Sequence, residues 1–366
     1  MNQSTDHTIV LAGGGTAGHV EPALAIARAW KVKHPQDHCV FLGTPSGLEN
    51  TLVPEAGFEL CNIDKVVMPR KLSLDLVKLP IRLLRAVNSA KRVIDSSDLL
   101  VGFGGYLSAS AYLGAVFSRT PIVIHEANAK VGWANRLGAI FTKNLAIARS
   151  VNTGRFSRAT VTGMPLRQDV KDAYALASQD WRKARAAARA ELGWDTQHRT
   201  LLIIGGSQGS TFINSQIAAA LPLLKEKGIQ ILHSVGGGND LPSSFQNYRA
   251  VPYINDMATA YLAADVVLAR SGAVTCAEFA ALGKMAVFVP LPIGNGEQAR
   301  NADHLVAVGR AVLVDQKDFS AQWILDNIDD TFEKSKGLPD QGSNQDMGSE
   351  ERILALMETA MLGKRR

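Results

Sequence analysis

Short apolar runs alternate with helical periodicity along the whole chain. In the first half these runs are Thr8 to Ala12, His38 to Gly43, Leu99 to Gly102, Pro121 to His125 and Asn144 to Ala148. In the second they are Thr200 to Ile204, Gln230 to His233, Asp265 to Leu268, Ala286 to Val289 and Ala311 to Val314. Runs of this length with no polar alternation predict strands buried on both faces, and the helical stretches between them supply the crossovers that parallel strands need. Each half therefore predicts an α/β, Rossmann-like, doubly wound parallel sheet. The halves meet near Gly163-Met164-Pro165. The expected domains are 1–163 together with a last helix at about 350–366, and 164–349. Gln179 to Glu191, rich in Ala and Arg, predicts an exposed helix just past the hinge, Lys334 to Ser349 a loop, and Lys364-Arg365-Arg366 a frayed tail.

Composition narrows the class. At 366 residues, with 46% hydrophobic and 20% charged residues, the chain suits two globular domains. No window approaches the roughly 18 to 20 apolar residues of a membrane-spanning helix. Residues Met1 to His7 lack the order of a signal peptide. Cys39, Cys61 and Cys276 fit neither a disulfide framework nor a zinc site, which points to the reducing cytoplasm. A net charge of +5 permits phosphorylated substrates, anionic lipid or nucleic acid without choosing among them.

Candidate chemistry begins at the glycine loops. The first strand opens into Gly13-Gly14-Gly15-Thr16-Ala17-Gly18-His19, and the strand near residue 200 into Gly205-Gly206-Ser207-Gln208-Gly209-Ser210. Loops of this kind, followed by a helix N-terminus, suit phosphate. A dinucleotide fold is disfavoured, because the next strand ends at Gly43-Thr44-Pro45 without the acid that a ribose would want. His19 falls in the first turn of a helix, where the dipole favours the neutral, proton-accepting imidazole. Two further loops follow strands: Gly102 to Ser108, where Gly104 and Gly105 offer bare amides to a diphosphate, and His125-Glu126-Ala127-Asn128, where Glu126 and Asn128 suit sugar hydroxyls.

In the second half Ser271-Gly272-Ala273-Val274-Thr275-Cys276-Ala277-Glu278 opens a helix whose first amides suit a phosphate. Glu278, one turn further on, suits the two hydroxyls of a ribose, and Gln298 and Asn301 suit a sugar. Between Met68 and Arg92 seven basic residues (Arg70, Lys71, Lys78, Arg82, Arg85, Lys91, Arg92) interleave with leucines, among them Leu79 and Leu83. Such a segment, broken at Pro80, suits an anionic bilayer surface; with no aromatics to stack bases, it does not suit nucleic acid.

Taken together, G-G-T-A-G-H-V at 14–20, G-G-Y at 104–106, H-E-x-N at 125–128, G-M-P-x-R at 163–167, G-G-S-Q-G at 205–209 and S-G-A-V-T-x-x-E at 271–278 resemble the MurG family of peptidoglycan N-acetylglucosaminyl transferases. The resemblance runs from about residue 8 to about residue 305. It implies a GT-B fold of two Rossmann-like domains facing a cleft. It further implies inverting transfer of N-acetylglucosamine from UDP-GlcNAc to lipid I, giving lipid II, by a peripheral protein on the cytoplasmic face of the bacterial cell membrane.

Carried over by motif, Glu278 takes the ribose and the Ile254 backbone the uracil, with Tyr253 beside the base. Ser207, Ala273, Val274 and Thr275 hold diphosphate and sugar, and Arg167, Asn128, Gln298 and Asn301 complete the donor site. Thr16, Ala17 and Gly18 face the donor from the other wall. His19 is the expected base on the acceptor 4-hydroxyl, with Glu126 as its substitute; Gly14, Gly15, Gly104, Gly105 and Tyr106 take the acceptor diphosphate, and Leu79, Arg82, Leu83 and Arg85 the membrane. Neither cofactor nor fixed metal is expected, since helix N-termini can stabilise a departing diphosphate. Cell-wall and division proteins are open as further partners.

Two departures stand out: Ala17 where many relatives have glycine, and Glu297 where some have glutamine. The helix near 179–191 has no assigned role. The main alternative is a nucleotide-sugar 2-epimerase of the same architecture, against which the basic leucine segment speaks; a nucleotide-sugar-binding regulator would keep Glu278 and dispense with His19.

Overall fold

A computed structural model describes residues 6–64, 75–206, 208–292 and 296–363; for 75–78 it describes the backbone alone. The chain divides into two compact units, Met1–Leu166 with Asp346–Arg366, and Arg167–Gln345.

The first unit runs β1 (Thr8–Ala12), α1 (Ala17–Lys33), β2 (His38–Gly43), α2 (Glu49–Glu55), β3 (Glu59–Asn62), α3 (Asp75–Ile94), β4 (Leu99–Gly102), α4 (Gly105–Ser118), β5 (Ile122–Glu126), α5 (Trp133–Gly138), β6 (Asn144–Ile147) and β7 (Thr160–Val161). All pairings are parallel, in the order β3-β2-β1-β4-β5-β6-β7. The order reverses between β1 and β4, and ligands of such sheets collect at that point, beyond the carboxyl ends of the strands. The first two glycine loops follow these two strands. Successive side chains of β1 point to opposite faces: Ile9 and Leu11 join one core layer with Trp30 and Phe41, Val10 and Ala12 the other with Tyr112 and Ile124.

The second unit runs α6 (Gln168–Ala177), α7 (Trp181–Glu191), β8 (Thr200–Ile204), α8 (Thr211–Glu226), β9 (Gln230–Ser234), β10 (Tyr248–Val251), α9 (Met257–Ala263), β11 (Val266–Ala269), α10 (Ala273–Ala281), β12 (Met285–Phe288), α11 (Glu297–Asn301), α12 (Asp303–Ala307), β13 (Ala311–Leu313) and α13 (Ala321–Lys336). Its sheet has the order β10-β9-β8-β11-β12-β13. The same reversal falls between β8 and β11, where the other two predicted loops begin. A last helix, α14 (Ser349–Leu362), returns to the first unit and buries Ile353, Leu354, Met357 and Ala360 in the layer that holds Ile9 and Trp30. Asp346 fixes its approach: the carboxylate accepts from Met164 N at 2.8 Å and pairs with Arg149.

Three expectations change. Pro80 does not break the basic segment, because α3 passes through it with the ring on the exposed side. The Ala/Arg helix is exposed on one side only: Ala184, Ala188 and Arg189 of α7 are buried, and Arg189 pairs with Asp265 at 2.6 Å and donates to Ala263 O. Its alanines let the helix pack close to α9. Strands β3, β7 and β10 had no clear sequence signal, since their short runs carry polar residues such as Glu59, Thr160 and Arg249. Arg70 and Lys71 of the basic segment, Ser207 and the terminal Lys364-Arg365-Arg366 lie outside the described residues.

Candidate functional site

In the first unit the two glycine loops and His19 converge. Gly13 admits no side chain, because a Cβ there would meet the His19 carbonyl at 2.8 Å and Phe103 Cβ at 3.0 Å. Gly15 turns at φ +87°, and α1 begins two residues later. That places His19 in the first turn, where its Nδ1 lies 3.3 Å from Gly14 O and 3.3 Å from Thr16 Oγ1. A carbonyl only accepts, so the Gly14 O contact goes with a proton on Nδ1, which in the neutral ring leaves the lone pair on Nε2.

The second loop lies against the same ring. Gly104, at φ 94° and ψ −174°, occupies a region open essentially to glycine alone. A Cβ on Gly104 would come within 3.4 Å of His19 Nε2, and one on Gly105 within 3.3 Å of Nδ1. Buried Ser108 Oγ lies 2.7 Å from both Ala12 O and Gly104 O, and its one proton ties this loop to the end of β1. Tyr106 is half exposed beside Trp133, their rings 5.3 Å apart.

Glu126 is not a loop residue: it ends β5, buried, with both carboxylate oxygens occupied. Oε1 accepts from Asn128 N and Nδ2 at 2.9 and 3.0 Å, and Oε2 from Gly132 N and Asn135 Nδ2 at 2.9 and 3.0 Å. Asn135 in turn accepts from the Tyr112 hydroxyl at 2.7 Å. The carboxylate thus shapes the loop that carries Asn128. Neighbouring His125 has Nε2 3.0 Å from Gly163 O, and burial pushes its pKa down to about 4, so it is a neutral donor.

Along the outer side of this unit, exposed Ile81 and Leu84 and half-buried Arg82 lie on α3, with Arg85 exposed. Between α3, α4 and α5 lies a cavity of about 190 Å³, lined by Leu79, Leu83, Tyr106, Leu113, Trp133 and Leu137.

The second unit presents two helix N-termini at its own switch point. Ser210 caps α8 by accepting from Ile213 N at 3.3 Å, and Gly209 is required because a Cβ would meet Val235 O at 2.0 Å. Buried Arg270 ties three segments, donating to Ser210 Oγ at 3.0 Å, Val289 O at 3.0 Å and Pro290 O at 3.2 Å. On α10, Ala273, Val274 and Thr275 are half-buried and form a first turn whose amides have no intrahelical partner.

Glu278 follows one turn later, almost fully buried. Its Oε1 lies 3.0 Å from Arg167 Nε, and its Oε2 accepts from the Tyr261 hydroxyl at 2.8 Å. Burial raises its pKa, while Arg167 opposes the shift. Gln298 accepts from Leu291 N at 3.0 Å, and Asn301 donates to Ser271 O at 3.3 Å, so both brace the loops beside α10. Tyr253 is half exposed and Ile254 buried, just after β10.

Sequence reasoning missed Glu49, Ser108, Asn135 and Arg270. The only local signal was a polar side chain inside an otherwise apolar or glycine-rich stretch, as with Glu49 after Gly43 and Gly47.

Comparison with known proteins identifies the family of both units. The glycosyltransferase family 28 N-terminal domain matches residues 9–147 and the family 28 C-terminal domain residues 200–356. A UDP-N-acetylglucosamine–N-acetylmuramyl-(pentapeptide) pyrophosphoryl-undecaprenol N-acetylglucosamine transferase of Paenarthrobacter aurescens is 50% identical over 331 residues, covering 88% of this chain and 87% of the relative. The protein of the same name from Mycolicibacterium vanbaalenii is 45% identical, covering 87% and 80%. Among solved structures, Acinetobacter baumannii MurG superposes with a TM-score of 0.69 at 26% identity, covering 97% of this chain and all of that one. A candidate UDP-N-acetylglucosamine 2-epimerase from Listeria monocytogenes shares the fold alone, at 11% identity and a TM-score of 0.62.

Proposed function

The chain belongs to the MurG family of glycosyltransferase family 28, and from that premise we propose a residue-level account of the reaction. The protein transfers N-acetylglucosamine from UDP-GlcNAc to undecaprenyl-diphosphate-linked N-acetylmuramyl-pentapeptide, the step that forms lipid II. The observation that carries this function is 50% identity to a transferase of that name across 88% of the chain, which also disfavours the epimerase.

The acceptor binds the first unit. Gly104 and Gly105 offer the amides for its diphosphate, with Tyr106 beside them; Gly14 closes the other side of the loop pair. The Gly15 amide already serves Glu49 and is not counted among these donors. His19 is the base. Its Nε2 lone pair removes the proton from the 4-hydroxyl as the oxygen attacks the anomeric carbon, which inverts, and the bond to UDP breaks. Such proton transfer contributes about 10² to 10⁴-fold. Glu126 is a poorer base, because four hydrogen bonds already engage its two oxygens. It positions Asn128, which hydrogen-bonds a sugar, and Thr16, Ala17 and Gly18 complete the wall around His19.

The donor binds the second unit. The free amides of Ala273, Val274 and Thr275 and the dipole of α10 stabilise the charge that develops on the departing diphosphate, with Ser207 contributing as the motif implies. Glu278 receives the ribose hydroxyls by exchanging a partner, with Arg167 in support. Tyr253 and the Ile254 backbone hold the uracil, and Gln298 and Asn301 shape the sugar's surroundings.

On the membrane side, α3 meets an anionic surface. Arg82 and Arg85 supply charge, Leu79 and Leu83 line an apolar cavity next to Tyr106, and Ile81 and Leu84 stand exposed. Contact through this face is peripheral in kind, and this reading assigns it to the cytoplasmic leaflet; among the described residues no helix is long and apolar enough to cross a membrane. Sedimentation with anionic vesicles, compared between the protein and its Arg82→Gln/Arg85→Gln variant, tests this reading.

A further inference from the structure

Glu49 opens α2 and is completely buried, yet the reaction as described makes no use of it. Its Oε2 accepts from Gly15 N at 2.9 Å, and its Oε1 from Thr44 N at 3.0 Å and Thr44 Oγ1 at 3.1 Å. A buried carboxylate is costly unless such donors surround it. The chain also makes room for it with glycines: a Cβ on Gly14, Gly43 or Gly47 would meet Glu49 atoms at 2.9, 2.9 and 2.0 Å.

The N–H that Glu49 binds and the C=O that faces His19 belong to one peptide group. Gly15 N and Gly14 O are joined by a single planar amide, so fixing one end fixes the other. Glu49 Oε2 lies 2.9 Å from its nitrogen, and His19 Nδ1 3.3 Å from its oxygen. Hydrogen bonds chained through a peptide polarise one another, and here the chain runs from carboxylate to amide to imidazole.

We propose that Glu49 is a positioning residue for the transfer: through the Gly14–Gly15 peptide it orients His19, keeps the proton on Nδ1 and so presents Nε2 as the base. The inference rests on the transferase reading and deepens its acceptor side. An aspartate, one carbon shorter, would not span the socket that the three glycines leave.

Glu49→Gln is the discriminating change. Its carbonyl oxygen stays with the two Thr44 donors, and its NH₂ faces the Gly15 N–H and breaks that bond alone. We expect kcat/KM for the acceptor to fall roughly tenfold to a hundredfold, the usual weight of a buried charge-assisted hydrogen bond. The acid limb of the pH–rate profile should move to lower pH, because His19 loses its polarised partner. UDP affinity should hold, and the melting temperature should fall by no more than the loss of one buried hydrogen bond explains. Thr44→Val, which removes one donor to Glu49 and leaves Gly15 bound, should keep near-native kinetics.

An unchanged acceptor kcat/KM and pH profile in folded Glu49→Gln would overturn the proposal. So would equal losses in both variants accompanied by lowered melting temperatures, the pattern of a merely structural pin. The ¹⁵N shifts of the His19 ring give a test independent of turnover: an Nδ1–H tautomer in the wild type and a mixture in Glu49→Gln. Ring shifts identical in the two would overturn it even if the wild-type protein transferred no sugar, an outcome that would separately sink the transferase reading.

Discussion

Arg167 Nε lies 3.0 Å from Glu278 Oε1 while the Tyr261 hydroxyl donates to Oε2, so a carboxylate only 3% exposed holds a cation and a phenol at once. Removing it would leave the Tyr261 hydroxyl without this acceptor and Arg167 without its buried carboxylate, with exposed Asp169 still 3.6 Å away. Glu278→Ala is therefore expected to destabilise the second unit by about 3 kcal/mol and to abolish measurable UDP binding. Glu278→Gln, which keeps the shape and a bond to Tyr261, should weaken UDP at least about tenfold with a smaller stability loss. Titration calorimetry with UDP checks both, and native affinity in either variant would remove Glu278 from the donor site.

Gly104 tests the acceptor loop. Its backbone lies where an L side chain is strained, and a Cβ would touch His19 Nε2 at 3.4 Å. Gly104→Ala should cost about 1–3 kcal/mol of stability in the first unit. Because the new methyl group sits against the base, turnover should fall further than stability explains, while UDP affinity stays native. Thermal unfolding and acceptor kinetics on one preparation decide it.

Acid stability follows from two buried histidines, one in each unit. Burial lowers His125 and His233 from 6.5 to about 4, and His233 is held between the Tyr248 hydroxyl and Asn214 Oδ1. Above pH 6.5 both states are neutral there and nothing is gained or lost. As pH falls from 6.5 towards 4 the unfolded chain takes up protons that the folded chain does not, so stability drops, by up to about 3 kcal/mol for each histidine. Denaturant unfolding at pH 7, 6 and 5 should show this slope, flattened by His125→Gln, whose amide can still donate to Gly163 O.

The membrane face has its own prediction. Neutralising Arg82 and Arg85 should cost about 1 kcal/mol per charge in binding to anionic vesicles, with the effect fading at high salt. Turnover of a short-chain, water-soluble acceptor should not change. Equal loss in both assays would mean that α3 had been damaged rather than its charge removed.

The framework of both sheets was legible because their strands are buried on both faces and so read as continuous apolar runs, and because glycine loops mark where ligands approach. The strands β3, β7 and β10 escaped because polar residues interrupt short runs. α7 read as exposed throughout because basic residues stand among its alanines, whereas Arg189 is buried through its pairing with Asp265. His19 and the two glycine pairs could be placed from local sequence alone. Glu49 could not: it meets Gly15 across 34 residues, and nothing in a linear pattern reports a contact made between a loop and a helix start that follow neighbouring strands.

The most direct test is transfer of radiolabelled N-acetylglucosamine from UDP-GlcNAc to a lipid I analogue, run with the wild type and His19→Ala side by side. The account predicts a labelled disaccharide product from the wild type and a loss of at least about 10²-fold in the variant, with UDP binding intact. Folded wild-type protein that binds UDP and yields no disaccharide would contradict the transferase itself, and near-native turnover by His19→Ala would contradict its base.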